Sequence, residues 1–183
     1  MLRTTFHSLA LTTLLALPAL AQDNPMVGGA PMFAEKNIVE NAVNSADHTT
    51  LVAAVQAAGL VDTLQSPGPF TVFAPVNDAF AALPAGTVDT LLQPENKDML
   101  VKVLTAHVVA GKLSGAEIMR RARNAPDGFF HMQTVSGDAL SAQVKGRNLY
   151  LIDENGNASK VTIADVNQSN GVIHVVNAVL VPR

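Results

Sequence analysis

The sequence predicts an α+β domain. Helical patterns crowd its first half, while β-rich runs separated by glycine-containing turns fill most of the second. A last run, "VIHVVNAVLVP", is apolar at both odd and even positions, as expected of a strand covered on both faces.

Met1 to Ala21 holds one basic residue, Arg3, then an apolar stretch from Leu9 to Leu20 and the small-residue ending Ala19-Leu20-Ala21. That pattern predicts a signal peptide over 1–21, cleaved before Gln22. Residues 22–34, "QDNPMVGGAPMFA", are rich in Pro, Gly and Met and predict a flexible leader. The domain is expected over 35–183.

"NIVENAVNS" predicts a short helix. "DHTTLVAAVQAAG" predicts a longer one, capped by Asp47, lined by Leu51, Val55 and Ala58, and closed by Gly59. Pro67-Gly68 marks a turn, and Phe70 to Phe73 a strand that Pro75 ends because it has no N–H to donate. Asn77 is placed to cap the next short helix, with Asp78 beside its positive end and Phe80 turned inward. A helical turn follows through Val88 to Leu92. Pro94 opens "PENKDMLVKVLTAH", where Leu100, Val103, Leu104 and His107 share one apolar face. Val108-Val109 starts a strand, Gly111 allows a turn, and Ser114 caps the helix that carries Arg120, Arg121 and Arg123 towards its negative end. Strands are expected at 131–136, 139–145, 147–153 and Val161 to Val166. Gly137-Asp138, Gly146, Asn155-Gly156 and Asn170-Gly171 supply the turns.

Composition narrows the function. The 183 residues contain no cysteine and carry a net charge of −3. Removing 1–21 leaves 11 basic against 15 acidic residues, a net charge of −4, so nucleic acid is not an expected partner. Without cysteine there is no thiol catalysis, no thiolate zinc site and no lipid on an N-terminal cysteine. No later apolar run has membrane length, so no stable membrane insertion is expected after cleavage, and the product is expected to be secreted or periplasmic.

"GPFTVFAPVNDAF" (68–80) is a strand-to-helix corner; it lacks a phosphate-cradling glycine pattern and a nucleophile–base pair. His107 on an apolar helix face and His174 in the doubly buried strand could meet as a metal pair. They have no third ligand at diagnostic spacing, so a neutral structural role is expected for both. His48 and His131 have no pattern around them. Asp153, Glu154 and Asp165 border turns and read as solvated. No catalytic, metal or cofactor site is expected.

Three ordered segments, "TVFAPVNDAF" (71–80), "LTAHVVAGKL" (104–113) and "NGVIHVVNAVLVP" (170–182), resemble the signature segments of the fasciclin domain. The resemblance spans Glu35 to Pro182 and implies a wedge of two β-sheets flanked by several α-helices. It also implies a non-enzymatic adhesion or matrix-association role. Val76, Ala106 and Asn177 depart from the small polar residue, tyrosine and aspartate usual in that family. "NKDML" (96–100) resembles a segment proposed to contact integrins in animal fasciclin proteins, although its charges also suit a solvated helix turn. Asn96, Lys97, Asp98 and Lys112 are therefore the candidate partner-binding residues; Asn77, Asp78, His107 and His174 are structural. The expected partner is a cell-surface, matrix or envelope protein or polysaccharide. The alternatives are a small apolar-ligand carrier, with a pocket involving Met119, Phe129, Phe130 and Met132, and a hydrolase.

Overall fold

A computed structural model describes residues 24–183. The predicted signal peptide, 1–21, lies outside the described residues.

The described part of the expected leader is folded. Met26–Val27 (β1) and Ala30–Pro31 (β2) form a small hairpin around Gly28-Gly29. It buries Val27 and Met32 against the core, because these are the large apolar side chains that the turn points inward. Ile38–Ala42 (α1) begins with a capping box, in which Asn37 and Glu40 each accept the other's backbone N–H. Thr49–Ala58 (α2) ends at Gly59, whose left-handed φ of 73° carries no Cβ penalty. Val61–Gln65 (α3) follows.

The start of α2 differs from the sequence expectation. Asp47 sits in a 3-10 turn over 46–48 and makes no side-chain cap. Asn77 supplies it from a distance: its Oδ1 accepts from Thr50 N at 3.0 Å, and its Nδ2 donates to Ala46 O at 2.8 Å. Asn77 therefore does not cap its own helix, Asn77–Ala81 (α4), whose boundary residue is Val76. α4 instead follows the strand Phe70–Pro75 (β3), and Asp78 lies exposed in its first turn. Thr87–Leu91 (α5) leads to a 3-10 turn at Pro94–Asn96, and only then to Lys97–Thr105 (α6).

Val108–Ala110 (β4) precedes Gly115–Asn124 (α7), where Ser114 Oγ accepts from Glu117 N as expected. Next come Phe129–Gln133 (β5), Ala139–Lys145 (β6), Asn148–Ile152 (β7), Ala158–Gln168 (β8) and Gly171–Val176 (β9). The strand expected over 131–136 starts and ends earlier, because Thr134 to Asp138 closes a turn through Thr134 N and Oγ1 to the Asp138 carbonyl.

The strands run β4-β3-β9-β8-β7-β6-β5; β3 and β9 are parallel, and the other neighbours antiparallel. β8 is long enough to serve two sheets. Its first residues pair with β7 and the rest with β9, with register shifts between Val161 and Val166 that bend the ladder. The far edges meet again where Val109 bridges Thr134, so the two sheets converge like the faces of a wedge.

Alternation along β3 and β9 separates two apolar layers. Phe73 and Val176 join Ile118, Leu140, Leu149 and Leu151 between the sheets and α7. Val72, Ala74, Ile173 and Val175 face α1, α3 and the N-terminal hairpin. β9 is buried at all six positions because both of its faces are covered. Gly171 is required where β9 passes β3, since a Cβ there would collide with the Phe70 carbonyl.

Candidate functional site

The predicted partner-facing residues fall in two places. Asn96 turns back and donates to Thr90 O at 2.8 Å, so its amide is partly committed to the fold. Lys97 and Asp98 are exposed in the first turn of α6, and Met99 beside them is 59% exposed. Lys112 is exposed in the loop after β4, whose backbone is fixed by Gly111 N to Pro69 O and by Leu113 N to Thr71 Oγ1. Among the described residues, no ion pair takes up Lys97, Asp98 or Lys112. The core does not use these charges.

The two structural histidines are each held by the backbone through both ring nitrogens. His107 Nδ1–H donates to Val103 O at 2.8 Å, and Nε2 accepts from Leu180 N at 2.8 Å. His174 Nε2–H donates to Leu113 O at 2.9 Å, and Nδ1 accepts from Asp165 N at 3.2 Å while the ring stacks on Phe73. Such bonding requires one proton per ring, so both are neutral. Burial pushes His107 down to about 4, against the opposing pull of the Val103 carbonyl, and lowers His174 in the same way. Among the described residues, no three His, Asp or Glu side chains gather as metal ligands.

The acids read as solvated are tied to the backbone instead. Asp153 is buried; its Oδ1 accepts from Asn155 N and Asn157 N, and its Oδ2 from Asn157 Nδ2 and Val181 N. Glu154 accepts from Ala139 N, and Asp165 from Gly115 N. Asp153 and Glu154 hold turns, and Asp165 holds the start of α7.

On the outer face of β5 and β6, Ser141 Oγ lies 2.8 Å from His131 Nδ1, and Asp127 Oδ2 lies 2.9 Å from His131 Nε2. The bond from His131 holds the Asp127 carboxyl below its ordinary range. The order of groups is that of a nucleophile, base and orienting acid, but acyl transfer also needs donors aimed at a developing oxyanion. Ser141 lies on an inner strand between β5 and β7, where the ladders engage the backbone donors.

The apolar cavity lies away from Met119, Phe129, Phe130 and Met132. Met132 is packed in the inter-sheet core, Phe130 lies under the Arg121 guanidinium, and Phe129 stacks on His131. A cavity of about 110 Å³ opens between the helices and the β3–β9 face, lined by Ile38, Leu51, Val55, Leu64, Val72 and Ile173 among others. Val27 and Met32 of the N-terminal hairpin form part of its wall. Val135, 48% exposed, and the exposed Gln56 and Thr63 carry it to the surface.

His48 also lines this cavity and is 3% exposed. Its Nδ1 lies 2.8 Å from Ser45 Oγ, while its Nε2 has no hydrogen-bond partner. Burial lowers the pKa of His48, against the opposing pull of the neighbouring Ala74 carbonyl. Sequence reading missed His48 because a lone histidine carries no motif. Its spacing of three and four from Leu51 and Val52 was the available signal.

This wedge of two sheets flanked by helices defines a class of domain. The fasciclin domain family matches residues 46–182, and the chain belongs to that family, whose members are adhesion-related extracellular proteins. It is 44% identical over 171 residues to Protein sll1483 of Synechocystis sp., covering 93% of this chain and 87% of that one. It is 36% identical over 146 residues to immunogenic protein MPB70 of Mycobacterium bovis, covering 77% of this chain and 66% of the relative. Among solved structures, a FAS1 domain pair from the insect cell adhesion molecule fasciclin I aligns with a TM-score of 0.70 at 16% identity. That alignment covers 79% of this chain and 50% of the other, and it carries the fold alone.

Proposed function

We propose that this chain is an exported, non-enzymatic binding module that attaches to a cell-surface, matrix or envelope protein or polysaccharide. Membership of the fasciclin domain family is the observation that carries this reading, and the family includes proteins named for adhesion and for the cell surface. The contact is assigned to two exposed patches, Asn96, Lys97 and Asp98 at the start of α6 and Lys112 in the loop after β4. The exposure of Lys97, Asp98 and Lys112, the lack of ion pairs to them among the described residues and the neighbouring exposed Met99 support that choice.

Polar patches of this kind bind weakly one copy at a time and gain strength from many copies on a surface. Their charged contacts are screened over a Debye length of about 8 Å at physiological salt. The Lys97→Glu, Lys112→Glu double variant, shown by circular dichroism to be folded, is compared with wild type for attachment to immobilised envelope material across a salt series. The expected outcome is weaker attachment at low salt and convergence of the two proteins at high salt. Equal attachment at low salt would exclude these patches.

A further inference from the structure

The bend in β8 opens a cleft in the second sheet. β7 and β8 pair from Ile152 back to Tyr150, and their ladder ends where Tyr150 faces Lys160. Beyond that pair β8 turns towards β9. Asn148 and Thr162, two steps further on, border an open space of about 350 Å³ instead of pairing. Sites for small molecules run from roughly 300 to 1,000 Å³. Arg147, Lys160, Met119 and Ala164 also line the space, and no Asp or Glu does.

We propose that this cleft binds a uronate, the carboxylated pyranose unit of an acidic polysaccharide. Charge is the first reason. The chain carries 15 acidic and 12 basic residues, yet the lining here is cationic without an acid. Lys145 joins Arg147 and Lys160: it is the cross-strand partner of Asn148, and its Nζ lies 5.6 Å from the centre of the Tyr150 ring. Among the described residues, none of these three cations has an ion-pair partner. Asp165, which follows Ala164, is turned instead to Gly115 N at 2.8 Å. Cations grouped in a cleft focus a positive field, and an anion seated there relieves their mutual repulsion. Arg147 and Lys160 have long stems that carry their charged ends to a ligand in the cleft.

The mixture of groups is the second reason. A phosphate or sulfate ion is polar on all sides, so Met119 and Ala164 would only desolvate it. A pyranose presents C–H groups on its faces and hydroxyls around its rim. Its ring meets Met119 and Ala164, its carboxylate meets Arg147 and Lys160, and its hydroxyls meet Asn148 and Thr162. Thr162 Oγ1 donates to Val175 O at 3.2 Å and keeps its lone pairs for a ligand hydroxyl. This site lies on other elements than the attachment patches assigned above and does not depend on them.

The experiment titrates the isotope-labelled, folded protein with trigalacturonate, and separately with neutral maltotriose, triglutamate and inorganic phosphate. Nuclear magnetic resonance follows the backbone amides of Arg147, Asn148 and Thr162. Trigalacturonate is expected to shift them saturably and to bind about tenfold more tightly than maltotriose, the effect of one charge-assisted pair. Added salt should weaken trigalacturonate and leave maltotriose unchanged. The Arg147→Gln, Lys160→Gln double variant should lose the preference, while the Lys97→Glu, Lys112→Glu variant should bind as wild type does. Absence of saturable shifts, equal binding of maltotriose, an unchanged preference in the first variant or lost binding in the second would each overturn the proposal. Equal or tighter binding of triglutamate or phosphate at these amides would overturn the uronate assignment. If the first variant does not fold, the wild-type comparison of the two trisaccharides decides.

Discussion

His107 shows how one side chain can couple the core to pH. Its ring joins the end of α6 to the backbone at Leu180, and each nitrogen requires the neutral form. In the unfolded chain a histidine titrates near its ordinary 6.5, whereas burial lowers it to about 4 in the folded protein. Between those values the unfolded state binds more protons, so stability is fully present above 6.5 and falls as pH drops towards 4. A shift of that size corresponds to about 3 kcal/mol. Urea denaturation at pH 7 and pH 4 is expected to show a loss of that order. His48 and His174 add in the same direction. His107→Ala is expected to lower stability at pH 7 by about 1–3 kcal/mol, through lost packing and the unpaired Leu180 N–H, and to flatten part of the pH dependence.

At the scale of elements, the structure redistributes caps between neighbours. Asp47 has the right type and position to cap α2, yet the 3-10 turn over 46–48 takes it out of line. Asn77, 27 residues away from Thr50, fills the role because α4 packs beside the start of α2. Asn77→Ala is therefore expected to lower stability by about 1–2 kcal/mol, while Asp47→Ala stays within about 0.5 kcal/mol of wild type. Thermal unfolding of both variants checks the pair, and the reverse ranking would restore Asp47 as the cap. The turn at Asn155-Gly156 follows a similar logic. Its position was legible from the dipeptide, but its organisation comes from the buried Asp153 carboxylate, which also holds Val181 from the C-terminal segment.

For the whole molecule, stability without any disulfide rests on covering both faces of β3 and β9. The N-terminal hairpin contributes to that cover through Val27 and Met32. Cleavage before Gln22, as the leader pattern predicts, would spare it. Intact-mass analysis of the exported protein is expected to give a chain beginning at Gln22, and a membrane-retained chain containing residues 1–21 would contradict this. Removing residues 22–34 as well is expected to lower stability by about 2–4 kcal/mol, the scale of exposing two large apolar side chains after allowing for chain entropy. Equal denaturation midpoints would show that the segment is dispensable.

The sequence by itself determined the α+β class, the order of most elements, the double burial of β9 and the burial of His107 and His174. Each is written locally, in a 2.0 or 3.6 residue period, a turn glycine or an apolar neighbourhood. Three ordered segments also made the family resemblance legible. Tertiary structure alone decided which residue caps α2, that the segment before Glu35 folds, that Asp153 is buried, and where the apolar cavity lies. The physical reason is distance along the chain. A cap, a buried carboxylate and a cavity wall are completed by groups that only folding brings together, and no local pattern records their meeting. His48 belongs with these: its neighbours on α2 were visible in the sequence, but its burial beside the cavity was not.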